Sequence, residues 1–322
     1  MELICPAGTP AAYRDAVGAG ADSIYCGFRN ETNARNFPGL NFSPDELGEA
    51  IAHGARHGVK TLVAINTFMR ASAEEIWTRA VDDAVALGAH ALILADLGLL
   101  AYAAERHPQQ RLHLSVQAAA SNAEYIDFLV CSFGIRRAVL PRVLTIAEVA
   151  AISGKVGCET EVFVFGGLCV MEEGRCSLSS YATGRSPNMQ GVCSPASHVR
   201  YRQEGDQMVS ELGAFTINRF PPGEAAGYPT LCKGRFVAEG KDGYIFEDPA
   251  SLDVLSQVDQ LRAAGVTALK IEGRQRGRAY VAQVIREIRR VLDANGTGGT
   301  DALLRLSEGQ RTTTGSYDKK WR

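Results

Sequence analysis

Eight short runs of apolar and β-branched residues recur along this chain, and amphipathic helical patterns separate them. The helical stretches keep apolar side chains three or four residues apart, as Ala80, Ala84 and Leu87 show within residues 73–87. A strand–helix unit repeated eight times fits a closed barrel better than an open doubly wound sheet. No Gly-x-Gly-x-x-Gly follows the first run, which argues against a dinucleotide-binding sheet. We therefore predict an α/β fold, a TIM-like (β/α)8 barrel, with strands near residues 2–5, 22–26, 60–65, 91–95, 112–116, 137–140, 160–165 and 267–271.

One segment interrupts this rhythm after the seventh strand. Residues 166–243 are rich in Gly, Ser, Pro, Tyr and Arg and contain no long helical pattern, although 199–203 and 207–217 resemble strands. Segments that follow strands form the active-site face of such barrels, so an insertion here is where chemistry is expected. We predict a barrel over 1–294 that this cysteine-rich insertion interrupts, followed by a linker and C-terminal tail over 295–322.

The composition is that of a globular protein with a sizeable core. Of the 322 residues, 46% are hydrophobic and 22% are charged, and the formal net charge is −2. Such a charge gives no global basic field to recruit nucleic acid, so no nucleic-acid partner is expected. The N-terminus lacks a signal-peptide pattern, and polar residues interrupt the most apolar stretch, 89–104. These features predict a cytoplasmic protein with no transmembrane segment, whose thiols stay reduced.

Four cysteines of the insertion lie in Gly-, Ser- or Pro-bearing sequence, where the backbone can approach a metal cluster: Cys169, Cys176, Cys193 and Cys232. Four thiolates suit an iron–sulfur cluster, and they also satisfy the tetrahedral preference of zinc. The wide spacings lack the short Cys-x-x-Cys knuckles of most structural zinc sites, which favours iron–sulfur while leaving zinc open. The remaining cysteines lie in or beside apolar runs, where we expect core packing: Cys5, Cys26, Cys131 and Cys158.

Polar side chains follow several predicted strand ends, at the expected mouth of the barrel. Alternation along the last strand places Lys270, Glu272 and Arg274 on one side. We predict that Arg274, with Lys270 or Arg142, binds an anionic co-substrate. Glu272 is predicted to act as a proton acceptor toward a bound substrate. The candidate catalytic residues are Glu272 and Lys270, and the candidate substrate-binding residues are Arg274, Arg142, Gln117 and Asn66.

Two plainer interpretations of these polar residues stay open. Lys270 and Glu272 could form a structural ion pair that only closes the barrel. The polar residues Arg35, Asn66 and Asp96 are compatible with helix capping.

The segment Glu161 to Ser179, EVFVFGGLCVMEEGRCSLS, resembles the signature of the collagenase-like peptidase family. The opening residues 2–22 and the run LKIEGR at 269–274 are similar to that family's first and last barrel strands. Three further stretches resemble the members that act in O2-independent ubiquinone biosynthesis, at 179–188, 227–235 and 307–317. Phe165 stands where many members carry His, and neither G-x-S-x-G nor H-E-x-x-H occurs, so peptidase activity is not expected.

The resemblance implies a [4Fe-4S] cluster held by the four insertion cysteines, Cys169, Cys176, Cys193 and Cys232. It also implies a heterodimer with a homologous subunit that hydroxylates the aromatic ring of ubiquinone precursors, with prephenate as the oxygen donor. An accessory lipid carrier is one expected route for the isoprenoid substrate. Two alternatives remain: hydroxylation of an RNA base, as in other members of the family, and a non-catalytic electron-transfer or structural partner of the hydroxylating subunit.

Overall fold

The computed structural model of the chain describes residues 1–169, 176–185, 193–224, 226–294 and 301–318. Its strands are β1 (Glu2–Pro6), β2 (Ser23–Cys26), β3 (Lys60–Ile65), β4 (Ala91–Leu94), β5 (Arg111–Leu114), β6 (Arg137–Val139), β7 (Glu159–Gly167), β8 (Val199–Glu204), β9 (Gln207–Leu212), β10 (Phe215–Phe220), β11 (Arg235–Ala238), β12 (Lys241–Tyr244), β13 (Ser251–Asp253), β14 (Ala268–Ile271) and β15 (Thr312–Thr313). Its α-helices are α1 (Pro10–Gly18), α2 (Pro44–Arg56), α3 (Glu75–Ala86), α4 (Leu97–Arg106), α5 (Ala123–Phe133), α6 (Ile146–Ser153), α7 (Ser177–Thr183), α8 (Val258–Ala263), α9 (Arg278–Asp293) and α10 (Asp301–Leu304).

Eight of these strands close into a parallel barrel. Strands β1 to β7 pair in sequence order, and β14 pairs with both β7 and β1 to complete the cylinder. Leu269 of β14 is level with Leu3 of β1 on one side and with Val162 of β7 on the other. The predicted (β/α)8 fold is confirmed, and each predicted strand overlaps an observed one.

The helices between these strands begin and end where local side chains satisfy their backbone groups. Ser43 begins α2 with a reciprocal capping box, in which its side chain accepts the Glu46 N–H and the Glu46 carboxylate accepts the Ser43 N–H. Asp96 Oδ1 accepts the Leu99 N–H at 3.0 Å and caps α4, as the sequence allows. Helix α5 ends at Gly134, which adopts φ +68°. Within the described ranges, no helix is both long and apolar enough to cross a bilayer.

The interior of the barrel holds a small apolar cluster and a chain of charges. The apolar cluster consists of Ile4, Tyr25, Leu62, Ala64, Ala91, Ile93 and Ala268. Below it, toward the N-terminal ends of the strands, Arg137 contacts Glu2 at 2.5 Å, Glu159 at 2.6 Å and Glu161 at 3.3 Å. Glu161 in turn contacts Lys270, so charged side chains connect the floor of the barrel to its mouth.

The insertion folds mainly as antiparallel strands. β8, β9 and β10 form a three-stranded sheet, and β11 pairs with β12. The prediction of one strand over 207–217 is wrong, because the chain reverses at Gly213, whose φ is +60°. β13 returns to the barrel and pairs antiparallel with the extended end of β7, where Ser251 is level with Gly167.

The C-terminal segment packs on this junction. Thr312 of β15 is level with Ser251 of β13, and the Tyr317 O–H donates to the Phe163 carbonyl at 2.8 Å. Lys233 of the insertion is buried, and its Nζ contacts Glu308 Oε2 at 2.6 Å. The segment therefore joins the insertion to the barrel.

The cysteines outside the insertion do not all lie in the core. Cys5 and Cys26 are buried and Cys158 is half-buried, but Cys131 is exposed. The core prediction for Cys131 is wrong because α5 buries the stripe that contains Ile126 and Leu129, and Cys131 faces away from it.

Candidate functional site

A polar cavity lies at the C-terminal ends of the barrel strands. The six residues predicted to act on substrate all line it: Asn66, Gln117, Arg142, Lys270, Glu272 and Arg274. The rings of Tyr25 and Phe163 form part of its wall, and Arg35 also lines it. These side chains meet because the C-terminal ends of parallel strands gather at one end of a barrel. The roles of the six residues remain predictions.

Lys270 is held in the cavity by a buried ion pair with Glu161. Its Nζ lies 2.5 Å from Glu161 Oε1, and the two side chains are 5% and 0% exposed. The ammonium also lies 4.2 Å from the centroid of the Tyr25 ring, in cation–π range. Burial lowers the pKa of Lys270, and the Glu161 carboxylate opposes that shift. The pairing of Lys270 with Glu272 considered from the sequence is therefore wrong, because the partner of Lys270 is Glu161.

Sequence reasoning overlooked Glu161 as a functional candidate. A signal was present: alternation along β7 places Glu161 and Phe163 on the same side as the inward-facing residues. A carboxylate in that position needs a cationic partner inside the barrel. The sequence alone does not say which of the inward-facing cations provides it.

Glu272 and Arg142 meet at Gly167, two residues before Cys169. The Gly167 N–H donates to Glu272 Oε2 at 3.3 Å, and Arg142 Nη1 donates to the Gly167 carbonyl at 2.5 Å. The preceding residue must be glycine, because Gly166 has φ +118° and a Cβ there would lie 2.5 Å from the Glu272 carbonyl oxygen. This close approach fixes the end of β7 against the cavity.

Arg274 is a second buried cation of the cavity wall, beside the same Tyr25 ring as Lys270. Its Nη1 donates to Asn33 Oδ1 at 2.7 Å, and its guanidinium lies 5.3 Å from the centroid of the Tyr25 ring. Burial is the main cause that lowers the pKa of Arg274 to about 10, so the guanidinium stays charged near neutral pH. Burial raises the pKa of Tyr25, whose O–H donates to the Ile271 carbonyl at 2.8 Å. The wall therefore presents a fixed positive charge beside a neutral phenol.

The side-chain amides of Asn66 and Gln117 in the cavity differ in how many of their hydrogen-bonding atoms have a partner. Asn66 Oδ1 accepts the Ala34 N–H at 3.1 Å, and Asn66 Nδ2 donates to Ser115 Oγ at 3.2 Å. Asn66 is thus bonded at both ends, and it supports the wall rather than capping a helix. The Oε1 atom of Gln117 is buried and has no hydrogen-bond partner.

The sequence position of Arg35 is compatible with helix capping, and the structure places this residue at the cavity instead. Its Nη1 donates to the Ala34 carbonyl at 2.8 Å in the loop that follows β2. Its charge acts on Arg274 and Tyr25 within the cavity and on Cys193 in the insertion. Arg35 therefore marks the place where the cavity and the cysteine-bearing insertion adjoin.

Three of the four insertion cysteines lie near one another. The thiols of Cys176 and Cys193 both perturb Cys232, whose pKa burial raises to about 11. The Cys176 thiol also acts on Cys193, whose pKa is raised chiefly by burial and lowered by Arg35. Helix α7, which follows Cys176, packs against the short helical turn Leu231–Lys233 that carries Cys232. Cys169 follows the last residue of β7, Gly167, by two positions.

The surroundings of these thiols suit ligation of an iron–sulfur cluster. The Ser179 N–H donates to Cys176 Sγ at 3.4 Å, the kind of contact that stabilises cluster sulfurs. As whole residues the four cysteines are half-buried, although the thiols of Cys193 and Cys232 are buried enough to raise their pKa values. Among the described residues, no three His, Cys, Asp or Glu side chains stand close enough to hold a single metal ion as they are. The assignment of Cys169, Cys176, Cys193 and Cys232 as ligands stays a prediction.

Comparison with known proteins identifies the family of this fold. The model of peptidase family U32 matches residues 8–315. The tRNA hydroxylation protein P of Escherichia coli is 32% identical over 96% of this chain and 72% of its own length. The 23S rRNA 5-hydroxycytidine C2501 synthase of the same organism is 31% identical over 91% of this chain and 39% of its own length. A solved U32 peptidase structure is 17% identical, covers 51% of this chain and 68% of its own, and has a TM-score of 0.44.

Proposed function

The chain belongs to peptidase family U32, and we propose that it is a UbiU-like iron–sulfur subunit of an O2-independent hydroxylase. Its proposed substrate is the aromatic ring of ubiquinone precursors, with prephenate as the oxygen donor. Its proposed partner is a UbiV-like homologous subunit in a cytoplasmic heterodimer. The hydroxylation proteins among its relatives support the reaction class, while the ring and the donor are carried by the sequence resemblance alone.

One observation carries the proposal: a cationic, aromatic-walled cavity adjoins the cysteine-bearing insertion at Arg35 and Gly167. Arg35 and Arg274 bring two positive charges to the cavity, and the charge of Lys270 is balanced by Glu161. Against these stands the carboxylate of Glu272. An excess of positive charge in a partly desolvated cavity favours a ligand with carboxylates, and prephenate has two.

Each residue of the cavity has its own proposed role in this hydroxylation. Arg274 and Arg142 would bind carboxylate oxygens, since guanidinium groups match their geometry. Glu272 would accept the proton that leaves the ring carbon, because it lines the cavity and the Gly167 N–H holds one of its carboxylate oxygens. Lys270 would keep a fixed positive charge beside Tyr25. The four cysteines would hold a [4Fe-4S] cluster, which supplies one-electron chemistry when it is bound.

The cluster is tested by anaerobic purification with iron and sulfide counting and EPR. We expect four iron and four sulfide per chain, as the composition of a [4Fe-4S] cluster requires. Alanine at any of the four positions should remove the signal, whereas Cys131→Ala should leave it unchanged. Cys131 is a matched control because its exposed thiol lies on α5, away from the insertion. Stoichiometric zinc instead of iron would contradict the assignment.

The catalytic roles are tested in the reconstituted heterodimer, with and without an accessory lipid carrier. Glu272→Gln should abolish ring hydroxylation while the iron content stays at the wild-type level. Full activity of Glu272→Gln would remove its proposed role. Removing the cluster from each subunit in turn separates a catalytic subunit from one that only transfers electrons or stabilises its partner.

Hydroxylation of an RNA base is the second candidate, and the names of the curated relatives favour it. The net charge of −2 weighs against extensive phosphate contacts. Binding of tRNA measured across a salt series discriminates the two functions. A steep loss of affinity with salt, together with hydroxylated nucleosides in tRNA from cells that carry the gene, would favour RNA.

A further inference from the structure

Among the described residues that line the cavity, the side-chain amide of Gln117 is the one that combines deep burial with an oxygen that has no hydrogen-bond partner. We propose that Gln117 Oε1 accepts a hydrogen bond from the edge of the ring that binds in the cavity. This ring must therefore carry an O–H or N–H donor. The inference rests on the proposed function, because it concerns the substrate of the same site. It adds to that function a residue that selects the substrate, Gln117, and the feature that it selects, a hydrogen-bond donor on the ring.

The Gln117 side chain is ready to accept a hydrogen bond. The residue is 4% exposed, lines the cavity, and has an Oε1 atom without a partner. Buried amide oxygens are almost always bonded, so one without a protein partner in a cavity is available to a donor that enters the cavity. A donor on a bound ring would satisfy it.

The backbone holds this amide in place before a ligand binds. Gln117 lies in a single 3-10 turn, Val116–Ala118, and the Ser115 side chain caps this turn by accepting the Gln117 N–H. Ser115 Oγ accepts the Gln117 N–H at 3.2 Å and also the Asn66 amide. Ala119 ends the turn in the left-handed region at φ +53°, where residues other than glycine are uncommon. Strained backbone of this kind is concentrated at functional sites, and here it fixes the direction of the turn.

Few other groups of the cavity can accept a hydrogen bond from a ring. Arginine and lysine side chains only donate, so the cations cannot serve. Asn66 is bonded at both ends, Ser115 Oγ already accepts two N–H groups, and the Tyr25 hydroxyl is bonded to the Ile271 carbonyl. The side-chain acceptors of the cavity without such a bond within the wall are the carboxylate of Glu272 and the neutral amide of Gln117. Because Glu272 is the proposed proton acceptor, Gln117 is the group left to orient the ring by a stable hydrogen bond. The Tyr25 and Phe163 rings provide apolar surface for the ring faces.

A donor on the ring edge is common to phenols and to pyrimidine bases. The phenolic O–H and the imino N–H of uracil present the same chemistry to an amide oxygen. The two sources are distinguished by the probes rather than by the cavity.

Calorimetric titration of the full chain with two matched pairs of probes tests the inference. The pairs are 4-hydroxybenzoate with 4-methylbenzoate, and uridine 5′-monophosphate with its N3-methyl derivative. In each pair the second probe keeps the ring and the anionic group but lacks the donor. In one of the two pairs, wild-type protein should bind the member with the donor at least about tenfold more tightly than the member without it. That pair shows whether the ring is a phenol or a pyrimidine base.

In Gln117→Leu this preference should fall close to unity. Gln260→Leu is the control, because Gln260 is exposed on α8 and does not line the cavity. Gln117→Met is a second variant that keeps the length of the side chain, and circular dichroism checks that each variant folds. An unchanged preference in the Gln117 variants, equal binding of both members of both pairs, or no binding of any probe would overturn the inference.

The failure of this inference is separable from failure of the proposed function. A chain that binds iron and hydroxylates its substrate, but whose Gln117 variants keep the preference, retains the function and refutes the role of Gln117. A chain that shows the preference without any hydroxylation keeps the role of Gln117 as a ring-selecting residue and refutes the function.

Discussion

Replacing Glu161 with glutamine should strongly destabilise the fold, because the ammonium of Lys270 would stay buried without its counter-charge. The two side chains are 0% and 5% exposed and their charged atoms lie 2.5 Å apart. Removing one partner of a buried ion pair costs about 3–5 kcal/mol. Arg137 would lose only its 3.3 Å contact and would keep Glu2 and Glu159, so most of the loss arises at Lys270.

The pH dependence of this loss follows from the sign of the shift at Lys270. Burial holds the pKa of Lys270 below its ordinary value of 10.5 in the folded protein, and loss of Glu161 lowers it further. The unfolded chain then binds more protons at Lys270 than the folded chain does, so stability rises with pH between the two pKa values. Urea unfolding followed by circular dichroism should show the largest deficit near neutral pH and a smaller one as the pH approaches 10.5.

Two further variants separate the ion pair from a general effect of mutation. Glu159→Gln removes a carboxylate from the same strand at a position that is 38% exposed, and should cost less than about 1 kcal/mol. The double variant Glu161→Gln with Lys270→Met removes both charges and should recover much of the loss. A deficit below about 1 kcal/mol for Glu161→Gln alone, or no recovery in the double variant, would refute the reasoning.

Three other outcomes are expected. Gly166→Ala should lower the melting temperature and weaken ligand binding, because its Cβ would meet the backbone of the facing strand at 2.5 Å; wild-type behaviour in both assays would contradict the close approach. Iodoacetamide should alkylate Cys131 rapidly in the native protein and spare Cys26, whose pKa burial raises to about 12; mass spectrometry of peptides would reveal the opposite order. Lys233→Met should leave the carboxylate of Glu308 without its partner and speed amide exchange in residues 301–318, and unchanged exchange would argue against that anchor.

The barrel could be predicted from the sequence because its signals are local. Each strand is a short apolar run, and each helix has its own apolar stripe, so periodicity alone places them in order. The cavity residues followed from the same reasoning, since Gln117, Arg142 and Glu272 all come directly after strand ends. Alternation along the last strand was enough to put Lys270 and Glu272 on one side.

What could not be predicted depends on contacts between distant parts of the chain. The partner of Lys270 is 109 residues away, and nothing in the local pattern favours Glu161 over Glu272. Arg35 lies in a loop without periodicity, so its place at the cavity follows only from the packing of the barrel. Cys131 was assigned to the core because its neighbours are apolar, whereas the rotation of α5 against the barrel decides which of them are buried.

The hydrogen bonds of Gly167 couple mutations in the cysteine-bearing loop to mutations in the cavity. It is held by Arg142 through its carbonyl and by Glu272 through its N–H, and Cys169 follows two residues later. Substitutions that reshape the cysteine loop will therefore displace groups that face the ligand, and substitutions around the ligand will displace the loop. Pairs of mutations taken from the two regions should deviate from additivity, so neither region can be re-engineered while the other is treated as a constant.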